Sequence, residues 1–329
     1  MFPLAGQTMK AIIHDTYGPF DVLSVRDIDK PVIKNDAVLV RVRAAGLHIG
    51  DCFGVRGSPF AMRLATGLFR PKYGIPGFDV AGHVEAVGIR VKQFGPGDEV
   101  FGTCHGACAE YASVPRETLA LKPGNLTFEE AAAVPTSALA ALHALRDVGN
   151  VQPGQRVLIN GASGGVGTFA VQIAKSFGAD VTGVCSTPNL AMVRSIGADQ
   201  VIDYTQQDFT RGETRYDLIL DNVENRSLSD CRRALTPGGT LILNSGTGAH
   251  GMGMLIRLLE PLVLSPFVRQ HPRRFLSVPS HDDLVFLKEL VEAEKLRPVI
   301  DRAYPLHETP AALSYIESGH ARGKVVVTL

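Results

Sequence analysis

A cluster of four glycines interrupts an apolar run in the middle of the chain. Residues 157–175 read VLINGASGGVGTFAVQIAK: branched apolar residues stop, a glycine-rich turn follows, and an apolar-striped segment begins. This order predicts a strand, a tight turn and a helix. Glycines let the backbone approach a ligand closely, and the first turn of a helix presents unpaired N–H groups to anionic oxygens. The turn is therefore suited to a pyrophosphate, with Ser163, Gly164, Gly165 and Val166 as its contacts.

The sequence around this turn supports that interpretation. From residue 127 onward, strand patterns such as RVLIN, DVTGVC, YDLILDNV and GTLILNSG alternate with helical ones. Such alternation over short links predicts a parallel sheet covered by helices on both faces. The turn departs from G-x-G-x-x-G, since Ala162 stands at the first glycine position, and glycines alone are weak evidence. Inside an alternating α/β region, nucleotide binding is favoured over a plain tight turn.

The end of the second strand in this region indicates which nucleotide is bound. An NAD site usually has Asp or Glu there, to accept from the ribose hydroxyls. Residues 183–187 read GVCST and contain no acid, and Asn189 and Arg194 follow. Hydroxyl groups such as that of Ser186, an amide and a guanidinium suit a 2′-phosphate, which predicts NADPH as the cofactor. The alternative is that Ser186 only caps the next helix and that Arg194 is a solvated surface residue.

Length and composition narrow the remaining possibilities. A chain of 329 residues is too long for one compact core and predicts two domains. The first 125 residues are rich in short β-like runs and Gly/Pro/Asp turns, which predicts a mostly β domain. Lys+Arg and Asp+Glu both number 33, and a net charge of zero argues against nucleic acid as a partner. Five cysteines and an N-terminus without an export pattern predict reduced thiols and a cytoplasmic location.

Several motifs then occur in a characteristic order. They are PGFDVAGHVEAVG, GDEVFG, AEYASVP, AAAVPTSALAALHAL and GASGGVGTFAVQIAK. Together they resemble the medium-chain dehydrogenase/reductase superfamily, specifically its zinc-free quinone oxidoreductase branch that includes the zeta-crystallins, from Met9 to Leu329. The resemblance implies a GroES-like β domain built from 9–126 together with 298–329. It also implies a Rossmann doubly wound parallel-sheet domain over 127–297, an active site in the cleft, and a homodimer.

The resemblance further implies a reaction that needs no zinc. Zinc alcohol dehydrogenases carry a Cys where this chain has Leu47 or His48, and a His where it has Phe78. The run Cys104-His105-Gly106-Ala107-Cys108 offers soft ligands, but a three-residue gap between cysteines without a second pair is thin evidence for a metal site. Without a Lewis acid, reduction of a quinone or an α,β-unsaturated carbonyl is favoured over alcohol oxidation. The alternatives are an enoyl-thioester or alkenal reductase and a low-turnover NADPH-binding protein.

Further site residues follow from the resemblance. His48 and Asp51 are the catalytic candidates, with His48 donating a hydrogen bond or a proton to the developing oxyanion, or only fixing its loop. Additional cofactor contacts are expected at Tyr204, Asn222, Val223, Ser245, Gly246, Gly323 and Lys324, the last with the alternative of an ordinary surface lysine. A flat apolar substrate slot is expected from Phe53, Phe60, Phe69 and Tyr73, with the alternative that these rings are simply core.

Residues 252–276 are unusually apolar and end in a basic stretch. Leucines, methionines and a phenylalanine precede Arg269, Arg273 and Arg274, a composition that fits contact with an anionic membrane. Three prolines argue against one long amphipathic helix. Burial against the substrate cleft or a partner subunit is the favoured alternative.

Overall fold

The computed structural model describes residues 7–60, 63–72, 74–244 and 270–329. By the packing of its Cα atoms the chain divides into two compact units. The first unit comprises Met1–Leu139, Pro279–Glu294 and Pro298–Leu329, and the second comprises Ala140–Val278 and Lys295–Arg297. Residues 127–139 and 279–294, which the sequence prediction placed in the nucleotide-binding domain, thus pack with the first unit.

The first unit is mostly β-structure. Its strands are β1 (Thr8–Ile13), β2 (Ser24–Asp29), β3 (Ala37–Leu47), β4 (Asp79–Val87), β5 (Glu99–Thr103), β6 (Tyr111–Pro115), β7 (Leu119–Leu121), β14 (Ile300–Pro305) and β15 (Lys324–Thr328). Seven of them form a sheet in the order β14-β15-β3-β4-β5-β7, with β6 also paired to β3, while β1 and β2 form an antiparallel pair. Nine of the eleven residues of β3 are buried, because this strand lies in the middle of the sheet with its neighbours on both sides.

The helices of the first unit are short, apart from one. They are α1 (Ile49–Arg56), α2 (Arg63–Thr66), α3 (Phe128–Ala132), α8 (His281–Glu292) and α9 (Thr309–Glu317), and α4 (Pro135–Leu142) begins in this unit. The alanine-rich run TFEEAAAVPTSALAALHAL, residues 127–145, does not form one continuous helix, because α3 ends before α4 begins. Pro135 has no N–H to continue the hydrogen-bond ladder and is tolerated only where a new helix begins.

The second unit carries the predicted parallel sheet, which is confirmed. Its strands are β8 (Arg156–Asn160), β9 (Asp180–Cys185), β10 (Gln200–Asp203), β11 (Tyr216–Asp221), β12 (Leu235–Leu243) and β13 (His271–Arg274). All neighbours pair in parallel in the order β10-β9-β8-β11-β12-β13. Numbered within the unit, this order is 3-2-1-4-5-6, the order of dinucleotide-binding sheets.

Among the described residues, three helices connect strands of this sheet: α5 (Gly165–Ser176), α6 (Leu190–Ser195) and α7 (Leu228–Arg233). Helix α5 buries eight of its twelve residues, including Phe169, Ile173 and Ala174 from the predicted apolar stripe. Residues 252–269 of the stretch considered for membrane contact lie outside the described residues, whereas 271–274 form β13. Within the ranges that the structure describes, no helix is both long and apolar enough to span a bilayer.

Candidate functional site

The glycine turn joins β8 to α5 as predicted. Gly161 adopts φ +77°, and a Cβ atom at Gly167 would lie 2.0 Å from the carbonyl oxygen of Gly161, so both positions require glycine. The N-cap residue of α5 is Gly164, which has no side chain to accept from the first N–H groups of the helix. A Cβ atom at Gly164 would meet only the Gly161 oxygen, at 3.4 Å. The helix therefore begins with open N–H groups at an unobstructed turn, the arrangement that binds a pyrophosphate.

Three of the predicted nucleotide ligands meet beside this turn. Asn189 donates from Nδ2 to the Ser163 hydroxyl at 3.1 Å and to the Ser186 hydroxyl at 3.2 Å. Its side chain is nearly buried, and its Oδ1 has no hydrogen-bond partner within the described ranges. A buried amide oxygen without a donor is costly, so this atom is suited to accept from a bound ligand. The structure thus brings the glycine turn and the end of β9 together around one amide.

The other two predicted phosphate ligands lie apart from this amide. Arg194 is exposed in the last turn of α6, and the Tyr204 ring is 51 % exposed. In the described part of the chain, no hydrogen bond joins either side chain to Asn189. Tyr204 directly follows the carboxyl end of β10, and both side chains are accessible to solvent or ligand.

Asp203 is a residue of this region that the sequence interpretation missed. It ends β10 and is the register partner of Cys185 at the end of β9. Its carboxylate accepts from the Thr187 hydroxyl at 2.5 Å and from the N–H and hydroxyl of Thr205 at 3.0 and 2.8 Å. The hydrogen bond from Thr187, with those from Thr205, lowers the pKa of Asp203, which is therefore charged at neutral pH. The sequence interpretation looked for an acid at the end of β9, whereas Asp203 lies at the end of the neighbouring strand, β10.

A polar network crosses the carboxyl edge of the sheet further along. Asn160 Nδ2 donates to Asp221 Oδ1 at 2.7 Å, and that oxygen also accepts from the N–H groups of Val223 and Glu224. Asn222, a predicted cofactor contact, donates to the Asn160 carbonyl oxygen at 3.1 Å. Asp221 is fully buried, and its Oδ2 lacks a hydrogen-bond partner among the residues described. The predicted Asn222 and Val223 therefore belong to a network that ties the ends of β8 and β11.

Next to this network, Glu224 is held in a left-handed conformation. Its φ of +56° is unusual for a residue with a side chain, and its carboxylate is paired with Arg274 of β13 at 2.6 Å. The ion pair and the backbone bond to Asp221 hold this turn in place. Ser245 and Gly246, expected beside the nicotinamide, and Tyr73, expected in the substrate slot, lie outside the described residues.

In the first unit, His48 and Asp51 hold the start of α1. His48 is the N-cap, and its Nδ1 accepts from the Gly50 N–H at 2.9 Å. Asp51 Oδ2 accepts from the His48 N–H at 2.9 Å, and Oδ1 accepts from the Gly77 N–H at 2.8 Å. Burial raises the pKa of Asp51, an effect opposed by His48 and by these backbone N–H groups. Both of its oxygens are thus engaged by backbone N–H groups, and the catalytic role expected of Asp51 stays a prediction.

The other ring nitrogen of His48 has different surroundings. Nε2 is buried and has no hydrogen-bond partner in the described part of the chain; Asp51 Oδ2, at 3.9 Å, is too far. Because Nδ1 accepts, a neutral imidazole carries its hydrogen on Nε2. His48 therefore presents an unused N–H donor.

Phe78 occupies the space where a metal ligand was considered. Its ring centroid lies 5.1 Å from that of His48 and 5.2 Å from that of His105. Cys104 and Cys108 are buried, and burial raises the pKa of both thiols. Across the described ranges, no three His, Cys, Asp or Glu side chains are grouped to hold a metal ion.

A small cavity lies beside α1 in the first unit. Its walls include His14, Asp51, Phe78 and His105, and burial lowers the pKa of both histidines, which keeps these imidazoles neutral. The expected substrate-slot residues Phe53 and Phe60 are not among its walls; Phe53 is partly exposed, Phe60 is 65 % exposed, and Phe69 is 87 % exposed. The alternative that these rings are core is therefore wrong for Phe60 and Phe69, whereas the substrate-slot role of the rings stays a prediction.

Lys324 has a different environment from the one predicted. It is 2 % exposed, and its Nζ lies 3.2 Å from Asp79 Oδ2 and 3.1 Å from the Ser137 hydroxyl. Gly323 is buried at φ +100°, where a Cβ atom would lie 2.3 Å from the Val299 oxygen. The alternative of a surface lysine is therefore wrong, while contact of Lys324 with the cofactor stays a prediction. Its ammonium is the counterion of a buried carboxylate, and Gly323 is required by the close approach of the backbone.

Comparisons with known proteins agree with this architecture. The family described as "Alcohol dehydrogenase GroES-like domain" matches residues 34–144, and the one described as "Zinc-binding dehydrogenase" matches residues 196–327. The 2-methylene-furan-3-one reductase of Solanum lycopersicum is 34 % identical over 97 % of this chain and 79 % of its own length. The chloroplastic NADPH-dependent alkenal/one oxidoreductase of Arabidopsis thaliana is 33 % identical with the same coverage.

A solved structure extends the likeness to the fold of the whole chain. The quinone oxidoreductase from Coxiella burnetii superposes with a TM-score of 0.85 at 32 % identity, covering 98 % of this chain and all of that one. The likeness therefore spans both units. The chain belongs to the medium-chain dehydrogenase/reductase superfamily, in its quinone-oxidoreductase-like branch, and is an oxidoreductase that uses a nicotinamide cofactor.

Proposed function

We propose that this protein reduces quinones or α,β-unsaturated carbonyl compounds with NADPH and without zinc. The observation that carries the proposal is the uncapped start of α5 at Gly164, beside the unsatisfied Oδ1 of Asn189. Bare N–H groups and an open turn fit a pyrophosphate, and the buried amide oxygen fits a ribose hydroxyl. When bound, the nicotinamide supplies the hydride. The relatives named for reduction of a furanone, of alkenals and of quinones support this substrate class.

The preference for NADPH is proposed from the side chains that follow β9. Ser186, Asn189 and Arg194 provide two kinds of neutral donor and one cation, and none of them repels a phosphate. Asp203 is the opposing feature, but its charge is satisfied by Thr187 and Thr205. Arg194 and Tyr204, both exposed, reach a phosphate by rotation about their side-chain bonds. Of the relatives above, the Arabidopsis protein is named for NADPH.

Independence from zinc is proposed from the residues around His48. Leu47 is a buried hydrophobic residue, and the Phe78 ring packs against both His48 and His105. Neither an aliphatic side chain nor a phenyl ring provides a ligand for zinc. A conjugated acceptor needs less polarisation of its oxygen than an alcohol needs of its alkoxide, so a hydrogen-bond donor suffices.

His48 is the donor that we assign to the substrate oxygen. Its Nε2–H is buried and unused by described residues, while Nδ1 is fixed by the Gly50 N–H. Asp51 holds the backbone of His48 and therefore keeps the ring in one orientation. As negative charge develops on the acceptor oxygen, Nε2–H stabilises it by donating a hydrogen bond, and the proton that completes the reduction comes from solvent.

The proposed function is tested by a steady-state screen. NADPH and NADH are offered with a simple quinone, an enone, a crotonyl thioester and an alcohol, each with and without a chelator. We expect NADPH oxidation with the quinone or enone, unchanged by the chelator, and a kcat/KM for NADPH at least about tenfold above that for NADH, because one phosphate–guanidinium interaction is worth about that factor. Turnover of the thioester alone would favour an enoyl-thioester reductase. Binding of NADPH with no turnover would favour a cofactor-binding protein.

Replacing His48 with asparagine should lower kcat about 100-fold, the loss expected when one positioned hydrogen-bond donor is removed. Asparagine is itself a good N-cap, so the start of α1 and the affinity for NADPH should be retained. The matched control is His83→Asn in β4, which should leave kcat unchanged. An unchanged kcat would rule out the assignment.

The compartment and the assembly are also proposals. All five cysteines are buried and free of disulfides, which is consistent with a reducing cytoplasm, although the Arabidopsis relative is named as chloroplastic. Burial raises the pKa of Cys185 to about 11 and that of Cys231 to about 12, so these thiols stay protonated there. A homodimer is proposed from the family resemblance.

A further inference from the structure

The segment between α1 and β4 has an unusual charge pattern. Residues 52–78 contain no Asp or Glu but include four cations, in a chain whose total charges balance. One of them, Arg56, is neutralised by Glu317 through two hydrogen bonds of 2.6 and 2.5 Å. The other three cations are Arg63, Arg70 and Lys72, so the segment itself carries a positive net charge.

The same segment exposes large apolar side chains. Phe60 is 65 % exposed, Leu64 80 %, Leu68 42 % and Phe69 87 %. We call the following seven residues the loop patch: the apolar Phe60, Leu64, Leu68 and Phe69, and the cationic Arg63, Arg70 and Lys72. Single exposed apolar residues are ordinary in proteins. Four of them within ten positions form an exposed apolar surface, whose hydration is unfavourable in free energy.

Hydrogen bonds and a cation–π contact hold the backbone of the loop patch in place. The Tyr17 hydroxyl donates to the Gly67 oxygen at 2.6 Å and lies 3.0 Å from the Thr66 hydroxyl. Arg63 donates from Nε to the Gly57 oxygen at 2.8 Å, and its guanidinium lies 4.5 Å from the centre of the Tyr17 ring. These bonds fix the backbone on both sides of α2. The apolar side chains therefore project from an anchored turn.

We propose that the loop patch docks this protein on an anionic phospholipid bilayer. Phenylalanine and leucine side chains bury in the interface between headgroups and acyl chains, while neighbouring Arg and Lys side chains pair with anionic headgroups. A second copy of the chain fits less well. In a two-fold symmetric contact, the three cations of one copy would face the same three cations of the other and repel them. Nucleic acid would match the cations but leave the phenylalanines and leucines in water.

The position of the loop patch gives the docking a chemical consequence, which rests on the proposed function. Thr66, Pro71 and Ile75, from the same segment, line the cavity beside α1. A lipophilic quinone or enone dissolved in the bilayer would then meet the protein at the segment that borders this cavity. The docking itself requires no turnover, so the two proposals can fail separately.

The docking is tested by flotation of the full-length protein with vesicles. One set contains phosphatidylcholine alone and the other contains 30 % phosphatidylglycerol, at about 0.1 M salt, where surface charges still interact. We expect the protein to float with the anionic vesicles at least about tenfold more than with the neutral ones, and to be released at about 1 M salt. Protein that stays at the bottom of the gradient with both vesicle types overturns the proposal.

Variants distinguish binding through the loop patch from non-specific binding to vesicles. Phe60→Ser with Phe69→Ser should reduce flotation at least about tenfold, since two buried phenylalanines are lost, and Arg70→Glu should reduce it about fivefold or more. The matched control is Val32→Ser with Ile89→Ser, which removes residues 77 % and 69 % exposed elsewhere on the first unit and should change nothing. Equal losses in both pairs overturn the proposal. So does a lower sedimentation mass for the Phe60/Phe69 variant, since the patch would then bind a second copy.

Discussion

Replacing Lys324 with methionine should destabilise the first unit by about 3–5 kcal/mol, the cost of leaving one member of a buried ion pair without its partner. Asp79 is fully buried, and its Oδ2 lies 3.2 Å from Lys324 Nζ. Its other oxygen accepts from the N–H and hydroxyl of Thr136, at 2.9 and 2.5 Å. Methionine fills most of the lysine volume, so the loss reflects the uncompensated carboxylate.

The measurement is urea unfolding followed by circular dichroism, with the free energy of unfolding obtained by linear extrapolation. Lys92→Met, at an exposed position, serves as the control and should change the free energy by less than about 0.5 kcal/mol. Adding Asp79→Asn to Lys324→Met should recover part of the loss, because a neutral amide still accepts from Thr136 but needs no counterion. If Lys324→Met alone costs less than about 1 kcal/mol, the pair does not have the role given to it.

Replacing Gly167 with alanine should weaken binding of NADPH by about 100-fold or more, since a displaced turn loses several N–H contacts at once. A Cβ atom there would lie 2.0 Å from the Gly161 oxygen and 2.8 Å from two backbone atoms of Ala162. Backbone atoms cannot move aside as a flexible side chain would. The turn must therefore shift, and the N–H groups at the start of α5 shift with it.

NADPH binding is measured by fluorescence titration of the nicotinamide. Gly95→Ala makes the same chemical change at a position where a Cβ atom meets nothing within 4 Å, and its affinity should match that of the unaltered protein. Circular dichroism shows whether the Gly167→Ala protein remains folded. A folded Gly167→Ala protein that binds NADPH within threefold of normal would mean that the pyrophosphate lies elsewhere.

Much of the fold could be predicted from the sequence because its signals are local. The glycine turn and the apolar stripe of α5 each lie within about twenty neighbouring residues, and each strand or helix of the alternating region has its own short pattern. Helix α1 was missed because its N-cap is His48, a residue with little N-cap preference. The break between α3 and α4 at Pro135 could have been predicted from the sequence, since proline disrupts a helix interior.

The side-chain partners of the candidate site could not be predicted in the same way. Asn160 meets Asp221 only because β8 and β11 are neighbours in this register, 61 residues apart in the chain. Lys324 meets Asp79 across 245 residues, and no local pattern separates a buried lysine from an exposed one. The exposure of Phe60 and Phe69 also depends on the packing of Tyr17 and Gly67. Such partners become visible only when the tertiary structure is known.

The position of β15 has a consequence for synthesis on the ribosome. The strands of the second unit, β8 to β13, are contiguous in the chain, so their sheet can assemble as soon as residue 274 has emerged. The sheet of the first unit contains β15 between β14 and β3, and it stays incomplete until residues 324–328 are made. Translation therefore delivers the nucleotide-binding unit first. The nascent Asp79 carboxylate has to remain hydrated, or be shielded by a chaperone, until its lysine arrives.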